Sequence, residues 1–493
     1  MDFKGKKIIV MGLGILGGGV AVVKWLAKKG AELTVTDLKN KKELKNSITK
    51  LKDLKIKYVL GRHREDDFKK ADLIIQNPAV PADSEYLKIA RESAVPIENE
   101  ASLFFKIVPQ DLIIGITGTR GKSTTTTLIY QIFKKKYQSA LCGGNIKVNP
   151  LFEIIEQVKK DPVVLELSSF QLENLADSKI SPHLSIITNI LPDHLNRYKN
   201  LKNYINAKAN IFNFQSKEDF VVLNLDNPLT KKLGQDVPSR RYWFSEKYFS
   251  QQNGVFLSSG RLIFRQNGQE IKVLNVKEIK LPGSHNLENI LAAVAAAMIY
   301  QIPVKLIRKA VSEFKGVPGR LELIKVIKGI KFYNDTTATI PEATIAALVT
   351  LGQLKDENLR RRRISAKGGW ASGALLGRKK SKVRNKNIVL IAGGADKKLD
   401  FHFLAPQIKK YCKTVILLPG TATPKIYKEL RITNYELRII NVKNMIEAVA
   451  VAFKLAVSSD IILLSPAAAS FGLFKNEFDR GEQYLKAVKK LKS

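Results

Sequence analysis

The chain has 493 residues, of which 45% are hydrophobic and 26% are charged, which is enough for about three globular domains with buried cores. The net charge of +37 would usually indicate a nucleic-acid-binding protein. However, lysines occur in nearly every part of the sequence, so a genome-wide compositional bias explains the charge as readily as a binding surface. Two cysteines argue against a disulfide scaffold, and the apolar run Ile8 to Val23 is shorter than the about 20 residues that span a bilayer, so we expect a soluble, cytoplasmic protein.

The first predicted elements are a strand, a glycine-rich turn and a helix. Residues 6–11 form the strand, G-L-G-I-L-G follows at 12–17, and the helix is predicted for 20–29. A second strand, 32–36, ends at Asp37, 20 residues after Gly17. This pattern is typical of a nucleotide-binding fold, because the glycines let the backbone approach phosphates and the acid binds a ribose or base. NAD and a UDP-sugar would use the same geometry, so the ligand stays open here.

A variant phosphate-binding loop opens the second predicted domain, which follows a first domain that ends near Ile107. A strand at 112–114 leads into G-T-R-G-K-S-T at 118–124, and a helix is predicted for 124–136. The strict G-x-x-x-x-G-K-[ST] pattern would need glycine where Ile116 stands. The glycines let N–H groups point at a polyanion, the lysine neutralises outer phosphates, and a hydroxyl suits magnesium. A flexible linker is the alternative, but the order of these features favours ATP binding.

Helices are predicted for 151–160 and 203–214, and two further strands of this domain end in polar side chains. The strand 162–167 carries Glu166, and a carboxylate at a strand end beside a phosphate loop is where a magnesium ligand belongs. The strand 184–189 is followed by His194, one of five histidines, for which we expect a metal or phosphate role. The alternatives are a solvated strand-end acid and a structural histidine.

The second predicted domain closes with a hairpin-like stretch and an alanine-rich helix. The stretch 254–273 is interpreted as an addition to the edge of a sheet. Asn286 and Asn289 precede the helix predicted for 290–300 and are three residues apart, so they share one face of its first turn. Their amides are well placed to hydrogen-bond the edge of a base.

A third domain is expected to start near residue 316. Strands at 331–333, 387–392, 415–418, 438–441 and 460–464 alternate with helices, which predicts a mostly parallel sheet. The segment 352–387 interrupts this alternation, with twelve Lys and Arg against one Asp and one Glu. We expect a disordered, exposed insertion without a catalytic role. The alternative is a basic loop that touches RNA or an anionic membrane.

Seven motifs resemble those of the Mur ligase family, and the resemblance covers the chain outside 352–387. They are GTRGKSTTT at 118–126, ELSSFQL at 166–172, TNILPDHLNRY at 188–198, LPGSHNLEN at 281–289, GVPGRLE at 316–322, NDTTAT at 334–339 and SFGLFKNEFDRG at 470–481. The second motif and the FKNEFDRG ending are similar to the members that add D-glutamate. The resemblance implies an α/β protein with a Rossmann-like UDP-sugar-binding domain (1–107), a central P-loop-type ATPase domain with a mostly parallel sheet (108–316) and a C-terminal Rossmann-like amino-acid-binding domain (317–493).

The family chemistry follows from the same resemblance. ATP phosphorylates a substrate carboxylate, and an amine attacks the acyl phosphate to give an amide, ADP and phosphate. The implied function is therefore an ATP-dependent amide ligase that adds D-glutamate to UDP-N-acetylmuramoyl-L-alanine in peptidoglycan precursor synthesis. ATP and two Mg²⁺ ions are the implied cofactors. We expect a monomer that requires no nucleic acid and does not insert into a membrane.

The resemblance also assigns the nucleotide and metal site. Phosphate contacts are implied for Gly118, Thr119, Gly121, Lys122, Ser123 and Thr124. Adenine and other nucleotide contacts are implied for Asn286, Asn289, Arg320 and Asp335. Metal ligands are implied at Ser123, Glu166, His194 and Lys208. The implied catalytic set is Lys122, Glu166, His194 and Lys208. Lys208 matches a family lysine that is carbamylated, which nothing in its spacing reveals.

Substrate contacts are implied in all three predicted domains. Gly14, Leu16 and Asp37 would hold the UDP end, which favours UDP over NAD as the ligand of the glycine-rich turn. Asn145 falls near the muramoyl group. Residues that match positions gripping the carboxylates of D-glutamate are Thr339, Lys397, Ser470 and Phe478.

Some positions depart from the family pattern. Arg120 stands where Asn is usual, and Thr337 replaces a common lysine. G-G-A-D-K-K at 393–398 is also unusual, so Lys398 rather than Lys397 could meet D-glutamate. Two other functions remain open: a sibling ligase for another amino acid or for folate, and a basic ATP-binding module acting on nucleic acid. The last predicts aromatic residues among the basic ones, and the arginines at 360–363 have only Trp370 nearby.

Overall fold

The computed structural model describes residues 1–14, 17–81, 83–145, 150–193, 195–281, 284–352, 386–397, 399–432 and 437–491, with the backbone alone at 195–196 and 284–285. The chain divides into two compact units. Unit 1 contains Met1–Lys280 and Ser284–Phe314, and unit 2 contains Leu281–Gly283 and Lys315–Ser493. Unit 1 holds two sheets and unit 2 holds one.

The first sheet of unit 1 has five parallel strands in the order β3-β2-β1-β4-β5. Its strands are β1 Lys7–Met11, β2 Glu32–Asp37, β3 Ile56–Leu60, β4 Leu73–Gln76 and β5 Ile97–Asn99. Its helices are α1 Gly18–Lys28, α2 Lys45–Thr49, α3 Glu65–Lys69, α4 Glu85–Glu92 and α5 Glu100–Ile107. β1 lies between β2 and β4, so the chain adds β2 and β3 on one side of β1 and then β4 and β5 on the other. The glycine-rich turn after β1 therefore lies at the crevice where such sheets bind ligands.

The second sheet of unit 1 has nine strands in the order β14-β13-β12-β11-β10-β9-β6-β8-β7. Its strands are β6 Ile113–Thr117, β7 Leu141–Gly144, β8 Val163–Glu166, β9 Leu184–Ile187, β10 Phe220–Asn224, β11 Arg240–Ser245, β12 Gly254–Ser258, β13 Arg261–Gln266 and β14 Gln269–Asn275. The strands β6 to β12 run parallel, whereas β13 and β14 form the antiparallel edge that the sequence predicts. β6, which leads into the phosphate loop, is buried at every residue between β8 and β9.

Eight helices accompany the second sheet in the described part of the chain. They are α6 Lys122–Lys134, α7 Leu151–Ile154, α8 Ser169–Ser178, α9 Leu195–Tyr198, α10 Leu201–Ala209, α11 Pro228–Leu233, α12 Ser284–Ile299 and α13 Val304–Glu313. Short 3₁₀ turns lie at Gln110–Leu112, Ile155–Gln157 and Val276–Glu278. The α12 helix packs along α6, so it supports the helix that starts at the phosphate loop.

Unit 2 contains a six-stranded sheet in the order β15-β16-β20-β17-β18-β19, in which only β15 is antiparallel. Its strands are β15 Glu322–Ile327, β16 Ile330–Asn334, β17 Ile388–Ala392, β18 Cys412–Leu417, β19 Arg438–Asn441 and β20 Ile461–Leu464. Its helices are α14 at 341–352, α15 Leu404–Tyr411, α16 Thr423–Arg431, α17 Met445–Leu455 and α18 Glu477–Lys489. Alternate residues of β17 enter two separate cores, with Leu390 in one and Val389 in the other. Helices therefore cover both faces of this sheet, as a parallel sheet requires.

The predicted fold class is confirmed, because all three sheets are mostly parallel and alternate with helices. The sequence predicted no strand at β5, β7 or β15, and three helix predictions have wrong limits. The helix predicted for 290–300 is α12, which starts six residues earlier, at Ser284. The helix predicted for 151–160 ends at Ile154 because the residues beyond 157 offer little apolar surface to bury. The helix predicted for 203–214 is α10, which starts earlier because the Asn200 side chain caps it by accepting from the Asn203 N–H.

The domain boundaries expected at 107 and 316 stay predictions. Most of the insertion, 353–385, lies outside the described residues, as do Leu16 and His194. None of the described helices is both long and apolar enough to cross a bilayer.

Candidate active site

The phosphate loop joins β6 to α6 and depends on two glycines. Gly118 (φ 149°) and Gly121 (φ 84°) adopt backbone conformations that side chains disfavour. A Cβ atom on Gly118 would lie 1.9 Å from Thr188 Oγ1, and one on Gly121 would lie 2.2 Å from Asn289 Oδ1. Both the backbone conformation and the available space therefore require glycine at 118 and 121. Position 116, where the strict motif has glycine, is a buried residue of β6.

The loop is anchored on one side and open on the other. Thr119 N and Arg120 N donate to the carbonyl and side-chain oxygens of Asn189, each at 2.9 Å. The Thr119 hydroxyl accepts from Leu191 N at 2.9 Å. In contrast, no side chain of the described residues caps the start of α6, whose N-cap residue is Gly121, and the N-terminus of a helix attracts an anion. The loop can thus hold phosphates at the start of α6.

Two lysines converge on one carbonyl oxygen of this loop. Lys122 Nζ and Lys208 Nζ each donate to Gly118 O at 2.9 Å, and Lys122 also donates to Thr119 O at 3.1 Å. Lys208 is 1% exposed and lies over the Tyr204 ring at 4.7 Å. Burial first, and then the charge of Lys122, hold the pKa of Lys208 well below its usual value, although Asp193 opposes this. Lys208 is therefore more easily kept neutral than an exposed lysine.

Glu166 ends β8 beside the loop and has one oxygen in use. Asn145 Nδ2 donates to Glu166 Oε1 at 3.0 Å, and Asn145 N donates to Glu166 O at 2.8 Å. Glu166 Oε2 is buried and finds no hydrogen-bond partner within the described residues. A buried carboxylate oxygen without a partner needs a water or an ion. This oxygen suits a hard divalent cation.

The described residues do not complete a metal centre. No three His, Cys, Asp or Glu side chains cluster in a way that would hold an ion within those residues. His194, the expected second ligand, lies outside them. Ser123 and Thr124 are buried on the first turn of α6. The ligand set of Ser123, Glu166, His194 and Lys208 therefore stays a prediction that Glu166 Oε2 supports.

The two asparagines of α12 lie against the phosphate loop. Thr125 Oγ1 donates to Asn289 Oδ1 at 3.3 Å, and Asn289 Nδ2 donates to Asn286 Oδ1 at 3.3 Å. Both residues are buried, and Asn289 blocks the space beside Gly121. Their expected contact with adenine stays a prediction, but the structure shows a role that the sequence did not indicate: they brace α6 against α12.

Asp37 closes the glycine-rich turn of the first sheet. Its Oδ2 accepts from Gly14 N at 3.2 Å, and its Oδ1 accepts from Lys39 N at 2.9 Å. Ser47 Oγ donates to Gly14 O at 2.8 Å, so both backbone groups of Gly14 are engaged. Asp37 thus fixes the shape of the turn, whereas its contact with a ribose or base stays a prediction.

In unit 2 the predicted nucleotide residues differ in exposure. Asp335, directly after β16, is buried; its Oδ1 accepts from Leu321 N at 3.1 Å and its Oδ2 from Ser465 Oγ at 2.8 Å. Burial raises the pKa of Asp335 to about 7, against the opposing effects of these two bonds and of Arg320. Arg320 is exposed. The Thr337 hydroxyl, at the departure from the family pattern, donates to Gly319 O at 3.1 Å.

The residues expected to hold D-glutamate come from four segments at one edge of the unit 2 sheet. Lys397 Nζ donates to Thr339 Oγ1 at 3.4 Å, so the loops after β17 and β16 meet. Ser470 is buried in the loop after β20, and Phe478 is half-buried at the start of α18. Phe474, in contrast, belongs to the core of unit 2. Lys398, the alternative to Lys397, lies outside the described residues.

Sequence reasoning missed Arg480, which lies in the quoted 470–481 motif without having been singled out. Its side chain is fully buried at the start of α18. It donates to Thr336 and Ala468, which belong to two of the loops just described. The only signal in the sequence was its place within a family motif, because burial of one charged residue cannot be read from its neighbours.

The chain is similar to one family of enzymes over nearly its whole length. The Mur ligase middle domain matches residues 116–297, and the Mur ligase MurD-like N-terminal domain matches residues 6–99. The chain is 39% identical over 500 residues to the UDP-N-acetylmuramoylalanine--D-glutamate ligase of Roseiflexus sp. (strain RS-1), with 99% of each chain covered. It is 35% identical to the ligases of the same name from Acetivibrio thermocellus (99% of this chain and 97% of that one) and Clostridioides difficile (100% of both).

Solved structures show the same fold at lower identity. The UDP-N-acetylmuramate-alanine ligase of Thermotoga maritima superposes with a TM-score of 0.59 at 22% identity, covering 98% of this chain and 99% of that one. The MurF ligase of the same organism, in complex with ADP, gives a TM-score of 0.53 at 14% identity, covering 99% of this chain and 95% of that one.

Proposed function

The chain belongs to the Mur ligase family, and we propose that it joins D-glutamate to UDP-N-acetylmuramoyl-L-alanine in an ATP-dependent ligation that forms a peptidoglycan precursor. The observation that carries this proposal is the full-length identity of 35–39% to ligases of that name. The phosphate loop and the buried groups beside it supply a chemically suitable site.

The reaction brings anions together, and the chain's own groups oppose their repulsion. The substrate carboxylate attacks the γ-phosphorus, ADP leaves, and the amine of D-glutamate then displaces phosphate from the acyl carbon as it loses a proton. Lys122 and the first-turn N–H groups of α6 bind and orient the phosphates. The loop anchored at Asn189 holds them in a fixed place, which lowers the entropic part of the barrier.

Magnesium would be held by Glu166 with Ser123 or Thr124, and a second ion by His194 and a modified Lys208. When bound, Mg²⁺ supplies charge neutralisation to the phosphates. The unpartnered Oε2 of Glu166 supports this role, since Asn145 already fixes the other oxygen. Asn145 therefore orients Glu166 besides any contact with the muramoyl group.

Carbamylation of Lys208 requires its amine to be neutral. The amine attacks CO₂, forms an N–C bond and releases a proton, which turns a cation into an anion. Burial and the neighbouring Lys122 lower the pKa of Lys208, which supports this chemistry. The product would place a carboxylate-like group beside the phosphate loop.

The assignments of the substrate sites follow the same proposal. The turn around Gly14 and Asp37 would bind the UDP end, and the cluster of Thr339, Lys397, Ser470 and Phe478 would bind D-glutamate. The contact between Lys397 and Thr339 supports the second assignment, since it brings a cation and a hydroxyl to one place.

Phosphate release from ATP tests the proposed function. We expect release to require UDP-N-acetylmuramoyl-L-alanine and D-glutamate together, and not to occur with L-glutamate, L-alanine or meso-diaminopimelate in place of D-glutamate. The UDP-containing product should gain the mass of one glutamyl residue. Phosphate release that ignores D-glutamate, or that follows another amino acid, would contradict the proposal and favour a sibling ligase.

A further inference from the structure

Arg480 is a fully buried cation held by neutral oxygens. Its exposure is 0%, and in the part of the chain that the structure describes it forms no ion pair with an Asp or Glu side chain. Its Nε donates to Thr336 Oγ1 at 3.2 Å, one terminal nitrogen donates to Thr336 O at 2.9 Å, and the other donates to Ala468 O at 3.0 Å. Burying a guanidinium this way is costly, so its geometry deserves a functional explanation.

Thr336 joins Arg480 to the start of α18. Its hydroxyl accepts from the guanidinium and donates to Glu477 O at 2.5 Å. A Cβ atom on Gly481 would lie 2.8 Å from Thr336 Cγ2, and one on Gly319 would lie 3.0 Å from it. The Thr336 side chain is therefore enclosed, and the loop after β16 has one position relative to α18.

The segment 467–469, to which Arg480 also donates, connects the remaining loops. Ala467 N donates to Ala338 O at 3.0 Å, next to Thr339. Ala469 and Ala395 exchange two backbone bonds, at 2.9 and 3.0 Å, near Lys397. Ala467 has a φ of 59°, a conformation that a non-glycine residue keeps only when its surroundings impose it. One short segment thus fixes the loops after β16 and β17.

We infer that Arg480 is the positioning residue of the D-glutamate site: by bridging Thr336 and Ala468 it holds the loops that carry the amino-acid contacts in register with α18. This inference rests on the proposed function. The planar guanidinium is suited to the task because it directs donors to two carbonyls and a hydroxyl at once, which a lysine ammonium cannot do with the same fixed geometry. Phe478 directly follows Glu477, whose carbonyl accepts from the Thr336 hydroxyl, so the same hydrogen bond holds the backbone beside Phe478.

The test uses the full-length protein and a matched pair of variants at Thr336. Thr336→Val keeps the volume and removes the hydroxyl that links Arg480 to Glu477, whereas Thr336→Ser keeps the hydroxyl. We expect Thr336→Val to raise the KM for D-glutamate about tenfold, with the KM for ATP changed less than about twofold, and Thr336→Ser to restore most of the loss. Arg480→Lys should raise the same KM further, with kcat less affected.

Tyr484→Phe provides the structural control. Tyr484 lies on α18 one turn beyond Arg480, is fully buried, and donates to Ile462 O at 3.3 Å. We expect this variant to lower the melting temperature without changing the KM for D-glutamate. If Thr336→Val and Arg480→Lys lower the melting temperature but leave the KM for D-glutamate within about twofold of wild type, the inference is wrong and Arg480 is only structural. Wild-type phosphate release that ignores D-glutamate would overturn the proposed function and this inference together.

Discussion

Among the described residues, Lys208 in unit 1 and Arg480 in unit 2 are cations that are at most 1% exposed, yet their surroundings are opposite in kind. Arg480 in unit 2 directs three hydrogen bonds at two loops. Lys208 in unit 1 makes one hydrogen bond within the described residues, to Gly118 O, and shares that oxygen with Lys122. The first environment accommodates a charge, and the second disfavours one.

The pKa shifts of the two groups follow from these surroundings. Burial lowers the pKa of Arg480 to about 10, which still leaves it charged at neutral pH. Burial and a like charge lower the pKa of Lys208 well below its usual value. A cation that stays charged can position loops, whereas a neutral amine can react. The contrast therefore separates a positioning role from a chemical one.

The buried carboxylates of the two units show the same contrast. Both oxygens of Asp335 in unit 2 accept hydrogen bonds, from Leu321 N and Ser465 Oγ. Glu166 in unit 1 leaves Oε2 without a partner in the described structure. In unit 2, Arg480 and Asp335 thus have their polar atoms engaged within the fold, whereas in unit 1 we assign chemistry to the amine of Lys208 and to Glu166 Oε2. The predictions below test this division.

The largest effect is expected at Lys208. Lys208→Ala should lower turnover on the order of 10²- to 10³-fold, because the anionic group proposed there is lost. Small carboxylates such as formate or acetate should restore part of the phosphate release. Lys208→Arg should be as inactive as Lys208→Ala, because the arginine keeps a cation and cannot form the carbamate.

Two observations decide this prediction. Lys202→Ala, on the exposed side of the same helix, is the matched control and should retain wild-type activity. Full activity of Lys208→Arg would show that the proposed contrast is wrong, because Lys208 would then serve as a structural cation like Arg480.

The second prediction concerns Glu166. Glu166→Gln preserves the shape and the contact with Asn145 but removes the charge at Oε2. We expect the magnesium concentration needed for half-maximal phosphate release to rise about 10- to 100-fold. Glu313→Gln, at an exposed surface ion pair with Lys135, serves as the control. An unchanged magnesium requirement would show that Oε2 does not meet the metal.

The third prediction is the pH dependence caused by Asp335. Its pKa is raised from 3.8 to about 7 in the folded state, so the stability it contributes is fully present below pH 4 and is lost as the pH rises to about 7. Between pH 5 and pH 8 this amounts to about 3 kcal/mol of unfolding free energy. Asp335→Asn should remove that loss, measured by urea unfolding without ATP.

Asp479→Asn makes the opposite control. A hydrogen bond from Lys475 N holds the pKa of Asp479 below its usual value, so its contribution is present at high pH and lost on acidification. Asp479→Asn should therefore destabilise the protein at pH 8 more than at pH 5. Asp335→Asn should instead lower the stability less at pH 8 than at pH 5, because its amide group does not titrate. The amide oxygen can accept only one of the two hydrogen bonds from Leu321 N and Ser465 Oγ, which is a loss at both pH values. If the unfolding free energies of wild type and Asp335→Asn depend on pH in the same way, the raised pKa of the buried Asp335 carboxyl is contradicted.

The sequence predicted what local pattern controls. The order of most strands and the backbone bend at Gly118 and Gly121 follow from apolar runs and from turn geometry, and both agree with the structure. β7 was missed because Leu-Cys-Gly-Gly lacks the usual strand composition. Lys208 and Arg480 carry no local signal, because each is buried by segments distant in sequence. Family resemblance supplied the first, and only the structure revealed the second.

The smallest effect is expected from the basic segment 352–387, most of which lies outside the described residues and which the sequence predicts to be an insertion without a catalytic role. Replacing 353–385 by a short Gly/Ser linker should leave kcat and each KM within about twofold of wild type, because long surface insertions change catalysis little when no contact to the site is lost. The assay is phosphate release, with Lys208→Ala as the inactive reference. The alternative reading of this segment predicts a different result: binding of the wild type to RNA or to anionic vesicles that the deletion abolishes. A deletion variant that folds but loses activity would show that cations outside the two buried sites also serve the reaction.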